Sequence, residues 1–230
     1  MSLSLGQFLD LVGGILRLDP NAILAVAQSP DGLRVALAIV LLGSFSDAVG
    51  NSPILFLSGV GGARFLVCLL VDTLLSVVRV GVWVVSLTVL VNLLPRADIS
   101  VADAALVVGL GLAPTLLSFL ALLPLLGPGL LRLIHAWSIV CTVVVLQVLL
   151  DLPLGQALAA AVAGWVLALV VGHTVDRVVL RGLGGLTRRL LGVDLALRFG
   201  QADLVDQVIA GGLVRHPAAR PEFGAGQGRP

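Results

Sequence analysis

Long apolar runs alternate with short polar stretches along most of the chain. Five of these runs approach or exceed the roughly 20 residues that a membrane-crossing helix needs. Their predicted bounds are residues 33–50, 65–94, 104–123, 130–150 and 154–171. Charged residues, proline or glycine separate the runs, as expected where chains turn outside a bilayer. The pattern predicts an all-α fold, a polytopic transmembrane bundle of about five spans.

Amphipathic segments flank the predicted bundle at both ends. Residues 1–32 contain apolar positions at helical spacing up to Leu18, and Pro20 opens a second short helix. This segment is too polar to span, so it is expected at the membrane interface or packed on the bundle. Residues 33–173 form the bundle, and residues 174–215 form a basic amphipathic segment interrupted by Gly182, Gly184 and Gly185. Residues 216–230 are rich in Pro, Gly and Ala and are predicted to be disordered.

Composition supports a membrane protein and excludes some partners. The chain is 58% hydrophobic and 12% charged, whereas soluble domains are about 25% charged. Its net charge of +1 gives no basic field, so no nucleic acid is expected as a partner. Cys68 and Cys141 lie inside apolar runs and are expected to be buried free thiols.

Three ionisable residues interrupt the first two predicted spans: Asp47 in the first, and Asp72 and Arg79 in the second. Charges inside a bilayer are costly, and they often mark a functional site. Asp47, Asp72 and Arg79 are therefore a candidate intramembrane polar cluster. The alternative is a structural ion pair, or side chains that extend to the interface.

Two residues in the later spans also stand out. Pro114 follows Gly109 and Gly111 in the middle of the third span and predicts a kink there. The alternative is a broken helix that marks a substrate site. His135 lies one turn into the fourth span. Without a second histidine nearby or a paired carboxylate, a structural role is expected rather than metal ligation or proton relay.

Motifs of known chemistry do not occur in the sequence. HExxH, GxSxG, GxGxxG, a Walker loop and CxxC are all missing. The protein is therefore not predicted to be an enzyme, and no cofactor or metal is expected. No inverted repeat relates the two halves, which weighs against a secondary transporter.

Several stretches have a recognisable order along the chain. They are LLGSFSDAVGNSPILFL at 41–57, ARF at 63–65, APTLLSFL at 113–120, LPLLG at 123–127, Trp137-Ser138, and QALAAAVAGW at 156–165. In this order they resemble the Yip family (Ypt/Rab-GTPase-interacting) of integral membrane proteins, specifically its bacterial and cyanobacterial type. The resemblance covers roughly residues 10–195. These stretches are packing and turn motifs, which specify a fold better than a chemistry.

The resemblance implies a helical bundle of about five spans. Eukaryotic members bind small GTPases and act in vesicle traffic, but no GTPase-binding residue is matched here. The expected function is a non-enzymatic organiser or accessory factor for membrane proteins or lipids. The alternative is a small permease or lipid-handling protein. Expected partners are membrane lipids, including anionic ones, and other membrane proteins or a second copy. The expected location is the bacterial plasma membrane, or alternatively a thylakoid membrane.

Arginines next to the last span predict contact with lipid head groups. Arg177, Arg181 and Arg188 recur at spacings that place them on one side of a helix. Anionic lipids attract such residues by about 1 kcal/mol for each arginine near the surface. The alternative is that the segment packs on the bundle with its arginines solvated.

Arginine distribution also predicts orientation. The C-terminal flank has four arginines, Arg177, Arg181, Arg188 and Arg189, and the first and third loops add Arg64 and Arg132 on the same side. The opposite side has fewer, so the positive-inside rule places the C-terminus in the cytoplasm and the N-terminus outside. Two alternatives stay open: Yip topology, with a cytoplasmic N-terminus, and a second run broken at Arg79, with both termini cytoplasmic.

We expect a topology reporter fused after Arg189 to be active only in the cytoplasm, because that flank is the more basic one. Paired fusions of a cytoplasm-active and a periplasm-active reporter at this site measure the side directly. Activity of the periplasmic reporter would contradict the arginine-based orientation.

Overall fold

The computed structural model describes residues 5–52, 62–94, 98–123 and 127–191, and these contain helices and turns without a strand. The α-helices are α1 (Leu5–Leu16), α2 (Pro20–Ala27), α3 (Gly32–Gly50), α4 (Gly62–Asn92), α5 (Val101–Gly111), α6 (Gly127–Leu150) and α7 (Leu154–Leu191). A 3₁₀ helix, Ala113–Leu122, lies between α5 and α6. The chain divides into two compact units, Met1–Arg177 and Val178–Pro230, and the bundle belongs to the first.

Five segments of the described chain are long and apolar enough to cross a membrane. They are Gly32–Gly50, Phe65–Asn92, Val101–Leu122, Gly127–Leu150 and Leu154–Val171. The prediction of an all-α bundle with about five spans is therefore confirmed. Helix α4 runs without interruption through Arg79, so the alternative of a second run broken at that residue is wrong.

Some predictions fall outside the described residues. The tail at 216–230 and the basic segment beyond Leu191 lie there, as do the side chains of Arg177, Arg181 and Arg188. Helix α7 includes these three positions in its backbone. It also includes Gly182, Gly184 and Gly185, so the expected interruption of the helix at the glycines is not present.

The N-terminal segment packs on the bundle. Asp19 caps α2 by accepting a hydrogen bond from the Asn21 backbone N–H at 2.9 Å, and Pro20 occupies the first turn, where its missing N–H costs nothing. The inward faces of the two helices are buried, with Val12 and Ile15 from α1 and Ile23 and Val26 from α2. Helix α1 contacts the 3₁₀ helix and α2 contacts α6. This burial favours the packed alternative over one in which the segment lies free at the interface.

The third span begins earlier than its apolar pattern predicts. Ser100 and Asp103 form a capping box at its start: the Ser100 hydroxyl accepts from the Asp103 N–H at 3.1 Å, and the Asp103 carboxylate accepts from the Ser100 N–H at 3.2 Å. The preceding loop is fixed by Asn92, which accepts from the Ile99 N–H at 2.8 Å. Helix α5 therefore starts at Val101 rather than at Ala104.

The third span changes from α-helix to 3₁₀ helix near Pro114. Helix α5 ends at Gly111, and the Thr115 N–H donates to the Leu112 carbonyl, three residues back, at 2.9 Å. A 3₁₀ helix of ten residues is long for this geometry. A side chain of α3 supplies hydrogen bonds to the backbone of this 3₁₀ helix. The Ser46 hydroxyl donates to the Leu116 carbonyl and accepts from the Phe119 N–H, both at 2.9 Å.

Glycines allow the first, third and fourth spans to approach closely. A Cβ atom on Gly43 would overlap Thr115, and one on Gly109 would lie 2.7 Å from the Ala36 Cβ. A Cβ atom on Gly111 would lie 2.9 Å from the Thr142 Cβ. Helix α7 likewise buries a stripe of small residues, Ala157, Ala160, Ala161 and Gly164. Close backbone contact through small residues is a common way to pack helices inside a membrane.

We expect Ser46→Ala to lower the free energy of unfolding by about 1–3 kcal/mol, because it leaves a carbonyl and an N–H of the 3₁₀ helix without their partner. Ser138→Ala is the matched control, since the buried Ser138 hydroxyl donates only to the Ile134 carbonyl of its own helix. Thermal unfolding in detergent measures both variants. An equal loss of stability in the Ser46→Ala and Ser138→Ala variants would contradict the bridging role of Ser46.

A pair of glycine substitutions tests the close packing. Gly109→Ala should destabilise the protein by about 1–3 kcal/mol, because the new methyl group meets the backbone and side chain of Ala36. Gly81→Ala should be neutral or stabilising, because nothing lies within 4 Å of its Cβ position. If Gly109→Ala unfolds at the same temperature as Gly81→Ala in a detergent melt, the third span does not depend on this contact.

Candidate functional site

A cavity of about 140 Å³ lies within the bundle, where the third span changes its helix type. All five spans contribute to its wall. The lining residues are Gly43, Ser44 and Asp47 from α3, Ser76, Arg79, Val80 and Trp83 from α4, Leu112 and Thr115 from the third span, His135 from α6, and Trp165, Ala168 and Leu169 from α7. The wall is mostly apolar, with ionisable side chains from three helices.

The Asp47 and His135 side chains face each other in this cavity. The distance from Asp47 Oδ1 to His135 Nε2 is 3.6 Å, longer than a direct hydrogen bond. The His135 side chain is 42% exposed and the Asp47 side chain 20%, so the pair lies where the cavity meets the outside. Helices α3 and α6 thus bring together a carboxylate and an imidazole that are far apart in sequence.

A second contact fixes the tautomer of the imidazole. His135 Nδ1 lies 2.8 Å from the Leu131 carbonyl oxygen. A carbonyl only accepts hydrogen bonds, so Nδ1 is the protonated nitrogen. In the neutral form, His135 then presents the lone pair of Nε2 to Asp47. Only the imidazolium form carries a proton on both nitrogens.

Asn51 orients the Asp47 carboxylate. The Asn51 amide donates to Asp47 Oδ2 at 3.4 Å and to the Asp47 backbone carbonyl at 2.9 Å. The other carboxylate oxygen, Oδ1, is buried and has no hydrogen-bond partner among the described residues. One oxygen is therefore held by the residue that caps the C-terminus of α3, and the other faces His135.

Trp83 contributes a second polar atom without a partner. Its side chain packs over Gly164, where a Cβ atom would lie 3.3 Å from the indole nitrogen. The Trp83 Nε1 atom is buried and lacks a hydrogen-bond acceptor within the described part of the chain. Trp83 lines the cavity while only 5% of the residue is exposed. Asp47 and Trp83 thus both line the cavity, and each has one unpartnered polar atom that is enclosed by protein.

The predicted polar cluster is brought together only in part. Asp47 and Arg79 both line the cavity, whereas Asp72 does not. Asp72 and Arg79 each make a further interaction of their own. Pro114 is not a lining residue, but its neighbours Leu112 and Thr115 are. The residues described contain no cluster of His, Cys, Asp and Glu that could hold a metal ion.

Sequence reasoning missed the role of His135. Its spacing within α6 shows no paired carboxylate, and the carboxylate comes instead from α3. A signal was available in the topology: two spans separate α3 from α6, so the end of α3 and the beginning of α6 lie on the same side of the bundle. Polar residues near those two ends are therefore at comparable depths.

Comparisons of the chain with protein-family models, with curated proteins and with solved structures gave no match.

The neutral form of His135 should be the Nδ1–H tautomer, because the Leu131 carbonyl accepts from Nδ1. Nitrogen-15 NMR of the full-length protein distinguishes the two tautomers by the shifts of the ring nitrogens. His135→Gln identifies the signal, since the chain has three histidines. A neutral His135 with its proton on Nε2 would contradict the arrangement.

Proposed function

We propose that the protein is a small, non-enzymatic membrane permease that takes a small solute into the cavity between its spans. The observation that carries the proposal is the meeting of Asp47, Arg79 and His135 in a cavity of about 140 Å³ inside a membrane bundle. Ionisable residues within membrane-spanning helices are expensive, on the order of 3 kcal/mol for an uncompensated charge, and they often line solute pathways.

The unpartnered atoms on the wall support this proposal. A buried polar atom without a hydrogen bond costs about 1–3 kcal/mol, so few persist in packed cores. Asp47 Oδ1 is an acceptor and Trp83 Nε1 is a donor, and both residues line the same cavity.

The irregular third span adds a second line of support. Permeases often place their solute where a membrane helix is broken, because the freed backbone groups lie there. Here α5 gives way to the 3₁₀ helix between Gly111 and Ala113, and Leu112 and Thr115 at this junction line the cavity.

An organiser of the Yip type is the second candidate function. It is favoured by the packing of residues 41–50 against residues 113–120, since both stretches carry the family resemblance. In this proposal the protein acts on membrane lipids, other membrane proteins or a second copy. Both proposals place it in a bacterial plasma membrane, with a thylakoid membrane as the alternative.

Accessibility of the cavity from the two sides of the membrane distinguishes these functions. The test variant is Ser76→Cys, with Cys68 and Cys141 replaced by Ala, in sealed vesicles treated with a small membrane-impermeant thiol reagent. A permease alternates its access, so labelling is expected from both sides, and an added solute that is transported should slow it. Val145→Cys in the same background is the buried control and should remain unlabelled. Labelling of Ser76→Cys from one side only would contradict the proposal of a permease and favour the proposal of an organiser.

A further inference from the structure

We propose that residues 113–122 of the third span convert between a 3₁₀ helix and an α-helix, and that this conversion changes the wall of the cavity. The structure shows the 3₁₀ form. The conversion itself is a property of the third span. Its use as the movement that changes access to the cavity rests on the proposed permease function.

The length and sequence of the 3₁₀ helix are the first support. Runs longer than three or four residues are uncommon because the hydrogen-bond geometry is poor, and this run has ten residues. Four of the ten are leucine and two are alanine, which favour an α-helix. Pro114 lies in the first turn, where its missing N–H would have no partner within the segment in either form. Local propensity therefore favours the α form, and contacts with neighbouring helices favour the 3₁₀ form.

Ser46 of α3 makes a contact that depends on the helix type. Its hydroxyl bridges the Leu116 carbonyl and the Phe119 N–H, both at 2.9 Å. These two groups are three residues apart, the spacing of partners in a 3₁₀ helix. In an α-helix the Phe119 N–H donates to the Thr115 carbonyl instead, so Ser46 can no longer accept from it. The bridge therefore stabilises the 3₁₀ form over the α form.

Ser118 favours the opposite form. Its hydroxyl is buried and has no hydrogen-bond partner in the described part of the chain. In the α-helices of this protein, several hydroxyls donate to the carbonyl four residues earlier: Thr73, Thr88, Ser138 and Thr142. The α form would offer Ser118 the Pro114 carbonyl in the same way. The missing bond is thus a small defect of the 3₁₀ form, and the α form removes it.

The face of α3 that meets the segment consists largely of small residues. A Cβ atom on Gly43 would overlap the Thr115 side chain, and one on Gly50 would overlap the Ser118 carbonyl oxygen. Ser46 lies between these two glycines on the same face, at helical spacing. Large side chains that would interlock with the segment are missing from these three positions. The Ser46 bridge is therefore the specific contact on this face that a change of helix type must break.

The conversion has a defined size. A 3₁₀ helix rises about 2.0 Å per residue and an α-helix about 1.5 Å, so the ten residues shorten by about 5 Å. The far end of the segment also turns by roughly half a revolution. Thr115 and Asp47 both line the cavity, and Asp47 directly follows Ser46. Release of the Ser46 bridge uncouples these two parts of the wall, so the shape of the cavity changes with the helix type.

A distance measurement along the third span tests the proposal. Spin labels are placed on Val101→Cys and Leu123→Cys, at exposed positions on either side of the segment, with Cys68 and Cys141 replaced by Ala. Pulsed electron–electron double resonance is then recorded on the full-length protein in nanodiscs. The wild type should show a main distance and a minor population about 5 Å shorter. Ser46→Ala should raise the ratio of short to long form by about tenfold. Ser118→Ala should lower this ratio by about tenfold, because it removes the hydroxyl that only the α form can satisfy.

Two controls separate the conversion from general loosening of the bundle. Ser138→Ala removes a buried hydroxyl that bonds within its own helix, so the ratio should stay as in the wild type. Labels at Leu70 and Val89, both exposed on α4, should give one distance in every variant.

A single distance in both the wild type and Ser46→Ala would overturn the inference, as would a short population that Ser118→Ala leaves unchanged. If Ser46→Ala does not fold, the wild type and Ser118→Ala still decide the matter. Two-sided labelling of Ser76→Cys with one fixed distance would keep the permease and remove the conversion. Two distances with one-sided labelling would keep the conversion and remove the permease, so the two failures are distinguishable.

Discussion

The third membrane span has to satisfy its backbone polar groups without water, and much of the bundle is arranged to meet this requirement. Where an α-helix changes to a 3₁₀ helix, the regular i→i−4 bonds are lost, and an unsatisfied group in hydrocarbon costs several kcal/mol. The Ser46 hydroxyl bridges the Leu116 carbonyl and the Phe119 N–H from the neighbouring helix. Helix α3 therefore supplies what the third span cannot supply itself.

This requirement explains the polar end of the first span. Gly43 leaves room for the Thr115 side chain, Ser46 bonds the 3₁₀ backbone, and Asp47 lies one residue further along α3. The same contact that secures the third span thus brings the Asp47 carboxylate close to α6, where His135 lies 3.6 Å away. The cavity lies beside this contact, since Gly43, Asp47 and Thr115 are among its lining residues. The position of the site is a consequence of how the third span is held.

Hydropathy and helix-breaking residues predicted the architecture well, because membrane spans depend on long apolar runs that leave a clear pattern. The helix ends that were predicted incorrectly have identifiable causes. The apolar pattern places the start of the third span at Ala104 because Ser100 and Asp103 are polar, although such a pair forms a capping box that starts a helix. The glycines after residue 181 suggested an interruption, yet α7 includes them. Glycine lowers helix stability by only about 1 kcal/mol, which a long helix tolerates.

The candidate site was less predictable than the fold. Asp47 and Arg79 stood out because charges are rare in apolar runs, and both line the cavity. His135 has no carboxylate at helical spacing within its own helix, because the carboxylate that faces it belongs to a span about 90 residues earlier. Trp83 gave no signal, since a tryptophan in an apolar run usually reports only burial. Pairings between helices depend on their rotation about their axes, which the apolar pattern of a membrane span leaves poorly defined because all of its faces are hydrophobic.

Unpartnered buried atoms also occur where no ligand is implied, and their location decides how they are interpreted. The Ser118 hydroxyl is buried within the 3₁₀ helix and has no hydrogen-bond partner in the described chain, but Ser118 does not line the cavity. It is a small defect of packing, tolerable because a hydroxyl costs less to bury than a charge. Asp47 Oδ1 and Trp83 Nε1 differ from it in two respects: they have opposite hydrogen-bonding character, and both belong to side chains on the wall of one cavity. Their place on the wall of the cavity, and not the missing hydrogen bond alone, therefore distinguishes them from Ser118.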